Sequence, residues 1–325
     1  MTGEGGGRDV SEARPATSRY RHDALFHATD DDLVASAVPF LRAGLDAGDV
    51  VVLMCDARTT DTLASAVGDG AAIGHLPRAD SYRRTAAVIA GYRRVVDRAV
   101  AGGASRVRLV GDVDLGVPPD EEEWGRYEAV CNAALAALPV WSLCLYDTGR
   151  LTADVVAAGR STHPYLLDGT QSTRNAGFVE PVEYLRRAAP TGADPMEADP
   201  ADVYYPSLVR NDVSWLRFEV QWVMGDRGVP TATIDGFTVA INEVVTNALL
   251  HGQQPVTVGV WSTVDRTTCV VNDYGPGFDD PLAGYIAPDT ARPGSRGLYL
   301  TRHLCDRLSF EQTAGRFTVR MAVSH

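Results

Sequence analysis

"INEVVTNALLHG", residues 241–252, is the stretch on which the fold of the second half of this chain turns. Ile241, Val244, Val245, Ala248 and Leu249 fall at the spacing of one buried helical face. Glu243 and Asn247 are four residues apart, so their side chains stack on one face beside that apolar stripe. Such a pair is either an ordinary solvated one or the edge of a site, and its surroundings decide which.

Working outward, a helix precedes it within "SLVRNDVSWLRFEVQWVMGDRG" (207–228). A strand pair follows, "PVTVGVWSTV" and "RTTCVVNDYG", turning near Asp265–Arg266. A loop punctuated by Gly and Pro, 274–295, leads into the helix "SRGLYLTRHLCDRL". Two strands, "LSFEQT" and "RFTVRMAV", then turn near Ala314–Gly315. Helices followed by antiparallel strands predict an α+β two-layer sandwich over 203–325.

Three polar features of this sandwich fall at the ends of elements: the Glu243/Asn247 face, "NDYGPGF" at 272–278, and "GSRGLYL" at 294–300. Together they suit a nucleotide. An Asp closing a strand, Asp273, can accept a hydrogen bond from an exocyclic amine. Glycines at 275, 277, 294 and 297 let backbone approach a base or phosphate. The start of the last helix offers free N–H groups to phosphates, and Arg292 and Arg296 add positive charge. Asn247 is a neutral oxygen ligand suited to Mg²⁺, and Glu243 can deprotonate a water or hydroxyl.

The order "E-x-x-x-N-A-x-x-H-G", "D-x-G-x-G-F" and "G-x-x-G-L" resembles the GHKL ATPase superfamily, and most of all its anti-sigma-factor serine kinases, whose helix reads close to "SEAVTNAIIHG". The likeness covers roughly 205–323. It implies a Bergerat-type ATP-binding sandwich with Mg²⁺ held through Asn247, a general base at Glu243 and adenine recognition at Asp273. It also implies a nucleotide lid with Gly275, Gly277, Gly294 and Gly297, with His251, Arg292, Arg296 and Leu298 beside the nucleotide. Ser295 stands where many relatives have another glycine. "NDVSWLR" is similar to a segment that carries a partner-contacting arginine, which here is Arg217. Histidine kinases need a phosphoacceptor His on a helix just upstream, and 203–236 contains no histidine.

The first half alternates helices with apolar strands. "DDDLVASAVPFLRAGLDAGD", "SYRRTAAVIAGYRRVVDRAVAGG" and "EEEWGRYEAVCNAALAAL" read as helices; "VVVLMC", "RVRLVGDV" and "VWSLCLYDT" read as strands. This predicts an α/β fold, a mostly parallel sheet with helices on both faces. "HDALFH", "PFLRAGLDAGD", "YEAVCNAAL", "LCLYDT" and "THPYLL" resemble the MEDS sensory domain, which implies a RecA-like layout without its phosphate loop. In a functional reading His22, Glu128, Tyr146, Asp147 and His163 line a sensory pocket. Taken singly, each residue is read first as structural: Glu128 and Asn132 cap or bridge the sheet, and "YDT" ends a strand. The expected organisation is a disordered tail over 1–19, a sensory domain over 20–175, a linker over 176–202 and the ATPase-like domain over 203–325.

Composition narrows the classes. The chain has no lysine, which closes the Walker-type route to nucleotide binding. A net charge of −12 argues against a direct nucleic-acid partner. No apolar run of membrane-spanning length and no targeting leader is evident, so a cytoplasmic protein is expected. Five scattered cysteines without a C-x-x-C pair argue against a disulfide framework and a zinc site; Cys144, near Tyr146, is either a redox sensor or an inert core thiol.

The resemblance implies a cytoplasmic regulator that holds a sigma factor and phosphorylates a Ser or Thr of a STAS-type antagonist, under control of the first domain. It allows a homodimer. The alternatives are an ATP-dependent binding switch without catalysis and, behind it, a histidine kinase.

Overall fold

Short apolar runs flanked by helical sequence become strands buried on both faces. In the computed structural model, which describes residues 19–68, 70–76, 84–113, 121–188, 193–286 and 296–325, they build a seven-stranded sheet. In chain order its elements are β1 (Arg21–His27), α1 (Asp30–Asp46), β2 (Val50–Met54), α2 (Ala57–Val67), β3 (Ile73–His75) and α3 (Thr85–Ala101). Then come β4 (Val107–Asp112), α4 (Glu121–Ala134), β5 (Val140–Asp147), α5 (Ala153–Thr162), β6 (Tyr165–Asp168) and β7 (Gln171–Arg174). The strand order is β3-β2-β4-β5-β1-β6-β7, parallel except for the closing β6–β7 hairpin.

Two cores lie on the two faces. Leu33, Leu41, Leu53, Leu63 and Leu143 pack on one side, under α1 and α2. Val88, Trp124, Val130 and Tyr146 pack on the other, under α3 and α4. Local chemistry sets the helix starts. Thr29 caps α1 by accepting from the Asp32 N–H at 3.1 Å, and Asp30, Asp31 and Asp32 fill the first turn, where the helix dipole favours them. The cap thus lies one residue upstream of the Asp30–Asp32 cluster.

The stretch read as a linker docks on both bodies. Its first half is α6 (Pro181–Arg187), whose Leu185 belongs to the first domain's core. Its second half is a 3₁₀ turn (Pro195–Ala198) flanked by ion pairs to the second sheet, Asp194 with Arg266 and Glu197 with Arg320, each at 2.7 Å.

The second sheet is antiparallel and five-stranded. Its elements are β8 (Val203–Tyr205), α7 (Val213–Asp226), α8 (Thr231–His251), β9 (Thr257–Ser262), β10 (Arg266–Asp273), α9 (Arg296–Leu304), β11 (Arg307–Thr313) and β12 (Arg316–Ser324), with strand order β11-β12-β10-β9-β8. Phe237, Ile241, Val245, Val258, Val260 and Met321 form its core between α8 and the sheet.

The two bodies meet along α3 and α9. At the start of α3, Arg84 pairs with Asp306 at 2.9 Å and donates to the His303 carbonyl. Tyr285 of the second body is buried in the first body's core. The Arg302 guanidinium lies 3.6 Å from the centre of its ring and donates to the Ala283 and Leu308 carbonyls. Among the described residues, no helix is long and apolar enough to cross a membrane.

Candidate functional site

The apolar stripe of α8 buries Ile241, Val244, Val245 and Ala248, which turns Glu243 and Asn247 to the flank of the helix where α9 begins. Both side chains are half-buried, and among the described residues neither makes a hydrogen bond or an ion pair. Polar groups held at the border of a core without partners are costly unless they serve something else. A Cβ on Gly297 would stand 2.7 Å from Glu243 Oε2 and 3.6 Å from Asn247 Nδ2, so the glycine lets α9 start directly over the pair.

Beside them is a cavity of about 270 Å³. Val244, Ala248, Leu298, Phe317 and Val319 supply apolar walls, and Asn247, His251 and Asp273 supply polar groups. Phe278 closes one side and meets Phe310 and Phe317 edge-on. A mostly apolar cavity with a few convergent polar groups is the form of a small-molecule site.

Asp273 ends β10 and is buried. Its Oδ1 accepts from the Gly275 N–H at 2.6 Å and the Gln253 N–H at 3.4 Å; Oδ2 has no partner among the described residues. A Cβ on Gly252 would fall 2.4 Å from the Asp273 carboxyl carbon, so backbone must pass here without a side chain. One carboxylate oxygen thus fixes the strand end, and the other is left to accept a donor in the cavity.

Of the other expected residues, Gly277 and Leu298 line the same cavity, while Gly275 is buried against Asp273. Arg296 is exposed at the first turn of α9. Arg292 and Gly294 lie outside the described residues. Arg217 is exposed on α7, away from the cavity lining. Sequence reasoning missed Phe278, Phe317 and Val319; the alternating apolar residues of "RFTVRMAV" were the available signal for the last two.

The profile of the family described as a histidine kinase-like ATPase domain matches residues 206–323. The profile described as MEDS, the methanogen/methylotroph DcmR sensory domain, matches residues 21–164. The chain joins a MEDS domain to a histidine kinase-like ATPase domain. No curated protein matches it. Among solved structures it is similar to the RsbU and RsbW domains of Rv1364c from Mycobacterium tuberculosis, at 17% identity and a TM-score of 0.29, over 38% of this chain and 32% of that one. The chain therefore spans about a third of that protein.

In the MEDS domain, His22 on β1, Glu128 on α4, Tyr146 on β5 and His163 after α5 converge behind the sheet, all essentially inaccessible. His22 Nε2 lies 3.2 Å from Glu128 Oε2, and the Tyr146 hydroxyl donates to Glu128 Oε1 at 3.4 Å. Burial, the first cause for each, lowers His22 to about 4 and His163 to about 3, and raises Glu128. Asp147 does not join them. Strand alternation puts it on the opposite face from Tyr146, where its Oδ1 accepts from the Gly149 N–H in the following turn. Cys144, two residues before Tyr146, takes the place expected for Asp147.

Proposed function

We propose that the ATPase domain binds ATP with Mg²⁺ and acts in the cytoplasm as an anti-sigma factor with serine/threonine kinase activity toward a STAS-type antagonist, governed by the MEDS domain in a transcriptional stress response. The observation that carries this reading is the unpartnered Glu243/Asn247 pair under Gly297, at the mouth of an apolar slot that ends in Asp273. Asp273 Oδ2 accepts from the adenine amine. Asn247 holds Mg²⁺, which when bound neutralises charge on the phosphates. Arg296 and the first N–H groups of α9 face the phosphate chain.

Glu243 takes the proton of the attacking Ser or Thr hydroxyl as that oxygen bonds to the γ-phosphorus and ADP departs. The protein partners dock near Arg217, on an α7 face that exposes Trp215, Phe218 and Trp222 at 66%, 58% and 64%. Exposed aromatics grouped around an arginine are what protein recognition surfaces carry.

The test measures ATP binding by calorimetry and phosphotransfer to STAS proteins. Glu243→Gln is expected to keep ATP affinity within about threefold and to slow transfer by about 100-fold or more. Wild-type binding without transfer would leave a nucleotide-gated binding switch. An acid-labile phosphoprotein would revive the histidine kinase.

Gly297→Ala provides a second test. Its Cβ displaces the flexible end of Glu243 rather than backbone, so thermal stability should stay within about 1 kcal/mol. Transfer is expected to fall about tenfold, because the base leaves its position.

A further inference from the structure

We infer that the MEDS domain holds one divalent metal ion of the zinc class, ligated by His22 Nε2, Glu128 Oε2, Cys144 Sγ and His163 Nε2. These four atoms come from β1, α4, β5 and the end of α5, and all lie within 4.8 Å of one another. Zinc bonds of about 2.0–2.3 Å put neighbouring ligand atoms of a tetrahedron about 3.3–3.8 Å apart. The pairs His22–Glu128, His22–Cys144, His163–Glu128 and Cys144–Glu128 are separated by 3.2, 3.3, 3.8 and 3.8 Å. Four of the six edges of a tetrahedron are thus close to metal-binding length.

Hydrogen bonds outside the cluster aim the two imidazoles inward. His163 Nδ1 donates to the Gly159 carbonyl at 2.8 Å, which leaves the lone pair on Nε2. That Nε2 is fully buried and has no hydrogen-bond partner. For His22 the argument runs through Asn132. Its Nδ2 donates to the Glu128 and Thr162 carbonyls, so its Oδ1 must accept from His22 Nδ1 at 3.1 Å. His22 Nε2 therefore also presents a lone pair. A donor bond on the far nitrogen is the usual support of a metal-ligating histidine.

Charge agrees as well. One carboxylate and one thiolate balance a 2+ ion, leaving a neutral group, which is the state a closed interior tolerates. Two imidazoles and a thiolate select zinc-class ions over Mg²⁺ or Ca²⁺.

His22, Glu128 and Cys144 also border a cavity of about 20 Å³, and His22 borders a cleft of about 1170 Å³ as well. The sequence reading against zinc looked for closely spaced cysteines. This ligand set is assembled by strand pairing between β1 and β5, with Ala24 opposite Cys144, and by a helix laid across them.

The test uses the full chain, stripped with a chelator and titrated with Co²⁺ and then Zn²⁺. We expect one equivalent of Co²⁺, with tetrahedral bands in the visible and a charge-transfer band of single-thiolate intensity, all displaced by Zn²⁺. Cys144→Ser should abolish the charge-transfer band and weaken Co²⁺ binding by about tenfold or more, whereas Cys131→Ser, a buried neighbour outside the ligand set, should keep it. If Cys144→Ser does not fold, the wild-type spectrum decides alone. Sub-stoichiometric binding, an octahedral spectrum, or a thiolate band that survives Cys144→Ser in a folded chain each overturns the site.

Discussion

Replacing Asp273 with alanine is expected to weaken ATP binding by about 10- to 100-fold in calorimetry and to lower the melting temperature. Two losses combine. The acceptor for the base amine disappears, and a hydrogen bond to a charged acceptor is worth about 1.5–3 kcal/mol. The Gly275 and Gln253 N–H groups, now held by Oδ1, lose their partner, and an unpaired buried donor costs about 1–3 kcal/mol. At about 1.4 kcal/mol per tenfold the first loss gives the stated effect on affinity; the second is present with and without ATP and shows as lower folding stability. Asp273→Asn separates the two. Its amide keeps the shape and can accept from Gly275, but it then turns an N–H₂ toward the base amine, donor against donor. Its melting temperature should stay near wild type while ATP binding falls nearly as far. Unaltered affinity in both variants would remove Asp273 from the site.

Acid should destabilise the metal-free MEDS domain well above the range where carboxylates titrate. Unfolded, His22 and His163 titrate near 6.5; folded, burial holds them at about 4 and about 3. Between pH 6.5 and 4 the unfolded chain therefore binds up to two more protons than the folded one, so stability falls as pH falls. Glu128 works the other way. Its value is raised from 4.5, so the folded chain holds a proton there that the unfolded chain has released, which offsets part of the loss. Each proton of net excess gives a slope of about 1.4 kcal/mol per pH unit. Across the window that is about 3 kcal/mol, a large share of the stability of an ordinary domain. Urea midpoints with chelator present, taken from pH 7 to 4, measure it directly. His163→Gln should flatten the curve. A midpoint independent of pH in the wild type would mean that these histidines are not buried neutral.

The sequence announces α8 plainly, because a 21-residue helix repeats its apolar period often enough to be unmistakable. The groups around it are legible for a related reason. Glu243, Asn247, Asp273, Gly275 and Gly277 sit in short local patterns, and the structure gathers them. Phe278 closes the "D-x-G-x-G-F" pattern and Phe317 and Val319 alternate along β12, but only tertiary packing makes the three walls of one cavity.

β1 is hard to see because "RHDALFH" carries His22 and Asp23 at buried positions of an interior strand, where apolar residues are expected. β3, β6, β7 and β8 have three or four residues each, too few to show a period. Asp147 could have been excluded from sequence alone, since strand alternation cannot place it and Tyr146 on the same face. The role of Cys144 could not have been read that way, because its partners lie 16 and 122 residues distant.

Tyr285 and Arg84 give the two halves a common wall. Tyr285 follows Phe278, which borders the cavity beside Asp273, by seven residues, and it is packed into the core that also houses Tyr146. Arg84 ties α3 to the far end of the helix that starts over Glu243. Whatever shifts this wall shifts it for both sites, and equilibrium makes the exchange symmetrical. If occupancy of the MEDS domain changed nucleotide affinity tenfold, nucleotide would change affinity for that occupant tenfold, by the same ~1.4 kcal/mol. Through this wall a ligand in the MEDS domain and one in the cavity beside Asp273 would each report the other's occupancy.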